Sequence, residues 1–238
     1  MSLELDRIIE EQIKKWETSN ERRKNKGDAP LPVVTVSRET GSIGNALVQE
    51  ISQELDLDVI DGKIIHEVAK SVRMSEKVVS YLDEKTRSLL DNWILYLKTT
   101  RFLRSDEYVR HLTKVIGAIG EQGGVLIIGR GANLILPPED ILRVRFIAPL
   151  TTRVRNMAQE VSITEEEARK QILLKDAERR DSVRQNFKVD IEDPANYDLV
   201  INTEFLEAGQ IVRILKSSLK HKKIPSRRKS DLKPAVEA

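Results

Sequence analysis

Arginine recurs where a phosphoryl group in transit would need it. Arg38 follows an apolar run at 33–37, Arg130 sits between two glycines after a second run, Val125–Ile128, and Arg153 stands just beyond a third. The stretch KDAERRDSVRQNF adds Asp176 and Arg179 three residues apart, with Arg180 and Arg184 four apart. A phosphoryl group in transfer spreads negative charge over its oxygens, so its catalysis is mostly positioning and electrostatic stabilisation. Guanidinium suits that task because its planar fork grips two oxygens at once and stays protonated. Taken alone, Asp176 and Arg179 also fit an ordinary solvated pair on a helix face, worth about 0.2–0.5 kcal/mol.

A backbone partner for the anion is legible at 33–51, VVTVSRETGSIGNALVQEI, where a β-run passes through a glycine turn straight into a helix. Unpaired N–H groups at a helix start, reinforced by the helix dipole, can face an anion without side chains. The candidate binding residues are Gly41, Ser42, Gly44 and Asn45, with Arg38 at the strand's end. A standard phosphate loop, GxxxxGK[ST], adds a lysine for the β- and γ-phosphates and a hydroxyl for Mg²⁺. Here the turn runs Gly41, Ser42, Ile43, Gly44, Asn45, Ala46, without lysine. The chain's one Gly-Lys pair, Gly62-Lys63, has Leu57 where the motif needs its first glycine. Positive charge must come from elsewhere, and Arg38 can either reach inward or pair with Glu39 or Asp61.

Elements must hold these groups together. Strand candidates at 33–37, Asp58–Asp61, Val125–Ile128, 144–148 and Leu199–Asn202 alternate with helical periodicity, which predicts a mostly parallel sheet with helices on both faces. In such a sheet ligands gather at the carboxyl ends of the strands, where Arg38, Asp61, Arg130 and Arg153 all fall. The gap at 62–124 is too long for one crossover helix and predicts a helical insertion. One helix in it is marked by Val109, Leu112, Val115, Ile116 and Ile119, with Ser105 as cap and Asp106 and Glu107 in its first turn. A second helical excursion covers 151–186, opened by Thr164 and Glu167 at capping-box spacing. An amphipathic helix at 3–16, with Leu5, Ile9, Ile13 and Trp16 on one face, is placed to dock on the body or on a second copy.

Composition narrows the classes. The 238 residues carry a net charge of +2, no Cys and three His, which excludes a disulfide framework and disfavours a thiolate or imidazole metal site. His66, His111 and His221 read as surface or packing residues, and no metal-ligating set is assigned. From Lys220 onward seven Lys or Arg face two acids, leaving 33 basic against 36 acidic residues before that point. That basic end reads as disordered, and without interleaved aromatics it is a poor nucleic-acid surface. No apolar run reaches membrane-spanning length and the N-terminal residues are charged, so the expectation is a cytoplasmic protein without a membrane partner. The division expected is 1–29 as helix and linker, 30–218 as the domain, and 219–238 as the tail.

Five segments in register, VTVSRETGSIG, IIGRGANLIL, VRFIAPLTTRVRNMA, KDAERRDSVRQNF and DPANYDLVINT, closely resemble the cytidylate kinase-like proteins of the nucleoside monophosphate kinase fold. The resemblance covers about residues 32–216. It implies an α/β fold with a P-loop-type five-stranded sheet flanked by helices, a helical NMP-binding region and a lid, moving the γ-phosphoryl of ATP to CMP or dCMP with Mg²⁺. Carried over by position, Gly41, Ser42 and Gly44 form the phosphate loop, Arg130 faces the monophosphate, and Arg153 approaches the ATP phosphates. Asp176 and Arg179 resemble the lid's Asp-x-x-Arg, while Asp61 matches an acidic position at the acceptor's edge. The chain departs from cytidylate kinase where the loop lysine, glycine and threonine fall on Gly44, Asn45 and Ala46. Asn45 also stands where relatives often keep an arginine. The alternatives are a catalytically weak nucleotide-binding module for regulation or assembly, and a kinase for another small metabolite.

Overall fold

The alternation of apolar runs and helices becomes one sheet in the computed structural model, which describes residues 31–80, 82, 84–100 and 106–222, together with Arg7 and Glu11. Strands β1 (Val33–Arg38), β2 (Asp58–Asp61), β3 (Val125–Ile128), β4 (Ile141–Ile147) and β5 (Leu199–Asn202) lie in the order β2-β3-β1-β4-β5. Every pairing is parallel. The chain builds outward from β1 first toward β2 and β3, then crosses to β4 and β5, so strand order switches at β1. A crevice opens at the carboxyl end of the strand where order switches.

Strand β4 differs from its expected bounds at both ends. It begins at Ile141 because Ile141 and Leu142, both buried, pair with Val33 and Val34. It stops at Ile147 because the Ala148 N–H turns away to donate to the Glu39 carboxylate at 3.1 Å. Arg145, an unexpected charge for a central strand, is 5% exposed. Its guanidinium donates to Ser37 Oγ at 3.3 Å and lies over the Tyr197 ring, 5.7 Å from the centroid.

The alternation along β1 sorts the core into two layers, since successive side chains of a strand point to opposite faces. Val34 and Val36 pack with Ile51 of α1 (Asn45–Leu55) and with Ile211 and Leu215 of α9 (Ala208–His221). Val33 joins the other layer, built on the helices of the 62–124 insertion: α2 (Gly62–Lys70), α3 (Val72–Ser80), α4 (Glu84–Thr100) and α5 (Glu107–Gln122). All five apolar positions that marked α5 in the sequence are buried. Its cap is Asp106, whose carboxylate accepts from Val109 N at 2.8 Å. Ser105, the expected cap, lies outside the described residues.

A short helix α6 (Ala132–Ile135) follows β3, and α7 (Leu150–Val161) and α8 (Glu165–Phe187) form the second excursion. The capping box of Thr164 and Glu167 is present in both directions, fixing where α8 starts. Of the helix expected at 3–16, Arg7 and Glu11 are described, both helical and 3.5 Å apart. The linker at 21–28 and the tail beyond Lys222 lie outside the described residues. No described helix is long and apolar enough to cross a membrane.

Helix α9 runs to His221, past the expected domain edge at 218, because Lys222 is tied back to the sheet. Its ammonium donates to the Pro138 carbonyl at 2.9 Å, to the Ile141 carbonyl, and to Asp198 at 2.5 Å. Burial pushes the Asp198 carboxyl up, but hydrogen bonds from Arg143 and Lys222 together hold it below the ordinary carboxylate value. A depressed folded-state value stabilises above the unfolded pKa of about 3.9 and loses that stabilisation as pH falls through the folded one. Asp198→Asn is therefore expected to cost about 1 kcal/mol at neutral pH, a screened figure for a partly exposed pair. Urea melts should show the gap to wild type closing in acid.

Candidate active site

The turn after β1 is shaped by its neighbours rather than by its own side chains. Gly41 has φ +82°, and a Cβ there would lie 2.5 Å from the Arg153 carbonyl oxygen, so glycine alone fits the close pass under α7. Ser42 is buried, and its hydroxyl donates to the Glu39 carbonyl at 2.8 Å, with the Phe146 carbonyl at 3.2 Å. Thr203 Oγ1, just after β5, donates to the Ser42 carbonyl at 2.6 Å. Ser42 thus fastens the turn. The N–H groups of Gly41, Ile43 and Gly44 donate to no acceptor among the described residues. Gly44 is the N-cap of α1 and supplies no side-chain cap; the Glu160 carboxylate accepts from the Asn45 N–H at 3.1 Å instead. Asn45 begins the helix with an exposed side chain.

Two helices reach over this turn. Arg153 on α7 is 9% exposed, and its guanidinium donates to the Ala148 carbonyl at 2.9 Å, the Thr40 carbonyl at 3.2 Å and Asp176 Oδ2 at 2.6 Å. It also lies 3.4 Å from Glu39. Asp176 on α8 accepts from both the N–H and the hydroxyl of Thr40, at 2.9 and 2.7 Å. Arg179, one turn further along α8, donates to the Arg38 carbonyl at 3.1 Å and to Thr40 Oγ1 at 2.8 Å. Its side chain remains 36% exposed. Arg180 turns outward to Glu192 at 2.9 Å.

The third group gathers on the insertion side. Arg130 has φ +57° between Gly129 at +78° and Gly131 at +68°, three successive left-handed residues. For arginine that conformation costs about 1–2 kcal/mol, and strain of this kind persists where the surroundings impose it. The imposed turn sends its Nε to the Gly62 carbonyl at 2.8 Å. Asp61 caps α2 by accepting from Lys63 N at 2.6 Å. His66 Nδ1 and Tyr108 Oη are 2.7 Å apart, with rings edge to face. Burial, then Arg130 and Lys70, push the His66 imidazole down, against Glu67. Burial pushes the Tyr108 phenol up, against the nearby Arg130.

Arg38 is the group left over. Its guanidinium makes no hydrogen bond or ion pair among the described residues: of the two partners the sequence offered, Glu39 is taken by Arg153 and the Ala148 N–H, and Asp61 caps α2. Burial and the charge of Arg179 push the Arg38 pKa down, with Asp61 and Glu160 opposing. Arg179 is pushed down by burial and by Arg130, with Asp176 and Asp61 opposing. Arg38 and Arg179 therefore feel one another and the same Asp61, with Arg130 near enough to act on Arg179, whereas Arg153 is committed to protein acceptors beneath the turn. An anionic tail fits the free N–H groups and this positive field. A magnesium ion fits if it arrives with substrate phosphates, as Mg²⁺ commonly does. Ala46 offers it no hydroxyl, and no group of three potential metal ligands occurs among the described residues.

Sequence reasoning missed Thr40, wedged between Asp176 and Arg179, and missed Tyr108. His66, expected on the surface or in packing, packs against the Tyr108 ring. His111 does pack: it is buried with Nδ1 2.6 Å from Ser75 Oγ. His221 closes the last turn of α9.

A central strand of an all-parallel five-stranded sheet, ending in a glycine turn that leads into a helix, is a P-loop-type α/β layout. The chain belongs to the cytidylate kinase-like family, whose model matches residues 33–205. A cytidylate kinase from Methanosphaerula palustris is 27% identical over 188 residues, covering 78% of this chain and 96% of that one. A crystal structure of an uncharacterized protein from Eubacterium ventriosum superposes with a TM-score of 0.60 at 17% identity, over 79% of this chain and 98% of its own, which shows the shared fold. A uronate isomerase from Corynebacterium glutamicum is 32% identical over 101 residues, 42% of this chain and 19% of the isomerase. The chain thus spans a small part of the isomerase but nearly the whole length of the archaeal kinase.

Proposed function

We propose that the chain is a phosphotransferase that moves the γ-phosphoryl of ATP to a small acceptor, CMP or dCMP, with arginines doing the work of the missing loop lysine. The observation that carries this reading is Arg38, a largely buried guanidinium without a protein acceptor, beside a turn whose Gly41, Ile43 and Gly44 N–H groups are also free. Burying a cation is costly unless something pairs with it, and the partner this geometry suits is a polyphosphate. In this reading the Gly41, Ile43 and Gly44 N–H groups face the donor's phosphates, joined by that of Asn45 once Glu160 releases it, while Ser42, whose N–H donates to the Glu39 carbonyl at 3.2 Å, holds the turn's shape and Arg38 supplies the charge. Arg179 clamps the group in transfer, and Arg130 holds the acceptor's phosphate with Asp61 at its edge. Arg153 and Asp176 hold the turn and the lid helix in register. Bound Mg²⁺ would neutralise charge on the phosphates.

The assay is Mg-ATP with CMP, dCMP, UMP, AMP and GMP, read as diphosphate formed. Turnover on a cytidine nucleotide above the others is expected. Nucleotide binding without any diphosphate would overturn the kinase reading and favour the second one, a regulatory nucleotide-binding module. That second reading has its own support, because two of the turn's N–H groups, on Thr40 and Asn45, are already taken by carboxylates.

A further inference from the structure

One face of α7 is laid along the turn. Arg153, Asn156 and Glu160, spaced three and four residues apart, share that face. Arg153 donates to the Thr40 carbonyl at 3.2 Å, and Asn156 Nδ2 donates to the Gly41 carbonyl at 3.0 Å. At the third position the polarity inverts: Glu160 Oε1 accepts from the Asn45 N–H at 3.1 Å. Both carboxylate oxygens lie 3.6 Å from where a Cβ on Gly44 would be, so the charge sits over the N-cap of α1. Arg38 lies within its field. This is where family resemblance puts the loop lysine of cytidylate kinase; the cation is gone and an anion of the chain's own faces the helix end instead.

Resting on the kinase reading above, we propose that Glu160 is an internal stand-in for the donor's phosphate tail, which a nucleotide must displace and which discriminates against bare polyphosphate. The contact is built to be reversible. Glu160 is exposed, and it stands in the last turn of α7, two residues before the left-handed corner at Ser162 that leads into α8. The side chain can swing out without opening the core. A carboxylate over a helix N-terminus is stabilising on its own but repels a second anion seeking the same N–H groups and the same guanidinium. The repulsion is stronger for uncomplexed ATP than for Mg-ATP, whose tail carries less net charge.

The test is a charge series at one position, Glu160→Gln and Glu160→Lys, in the full chain. Calorimetric titration would use three probes: ATP without metal, Mg-ATP, and inorganic tripolyphosphate. Affinity for bare ATP and tripolyphosphate is expected to rise about fivefold in Glu160→Gln and further in Glu160→Lys, the scale expected for one charge at a helix end. Mg-ATP should gain less. Thermal melts without ligand should move the other way, slightly down, since the helix end loses its negative charge in both variants and the Asn45 N–H loses its acceptor in Glu160→Lys. Equal affinities across the series, or a loss in Glu160→Gln, would overturn the inference while leaving the kinase reading in place. No binding of any probe by any form would take the kinase reading down as well.

Discussion

Replacing Arg38 with methionine is expected to lower turnover by about 10²–10³ while leaving the fold as stable as before, or more so. The two signs have one cause. Arg38 is largely removed from water, has no acceptor among the described residues, and feels the like charge of Arg179. In the absence of ligand it is therefore a burden, relieved by a side chain of similar stem volume and no charge. In the transition state the same guanidinium is a cation beside the turn that no protein acceptor engages among the described residues, and single positioned charges there are worth factors of about 10² to 10³. Arg38→Lys separates charge from geometry, because an ammonium restores the former but not the bidentate fork. Steady-state rates on the best acceptor, set beside urea melts of the same preparations, decide the matter. A variant that turns over normally but melts earlier would show Arg38 to be structural.

Why Arg38 could be suspected from sequence and Arg153 could be misplaced comes down to what a parallel sheet makes public. All strands of such a sheet end at one edge, so any residue just after an apolar run is near the crevice, and this brought Arg38, Asp61 and Arg130 together on paper. Strand β4 blurred because Arg143 and Arg145 interrupt its apolar run. Their partners, Asp198, Ser37 and the Tyr197 ring, are far away in the chain. Arg153 followed the same positional rule, yet its guanidinium is engaged by Glu39, Thr40, Ala148 and Asp176, drawn from three separate stretches of chain. Spacing cannot say which of several arginines will find protein acceptors. The stripe of Arg153, Asn156 and Glu160 went unread, because its meaning depends on which loop α7 covers.

That commitment makes Arg153 the arginine around the turn whose loss should damage the fold most. Arg153→Met would leave Asp176 and Glu39 facing one another across a mostly dry space, with the Thr40 and Ala148 carbonyls deprived of their donor. Breaking a buried ion pair from one side costs about 3–5 kcal/mol, and the residual exposure of the two carboxylates argues for the lower end. Arg179→Met removes a guanidinium that touches the same Asp176, at 3.6 Å, but is 36% exposed, so about 1 kcal/mol or less is expected. Chemical denaturation of both variants tests the contrast. Asp176→Asn in the Arg153→Met background should cost less than the two changes summed, because it removes the stranded charge that the first change created. Strict additivity would mean that Asp176 and Arg153 act independently. If they are coupled, the turn after β1, α7 and α8 move as one body around Thr40. Arg179, bonded to the Thr40 hydroxyl, is then carried to the turn by the carboxylate that holds Arg153.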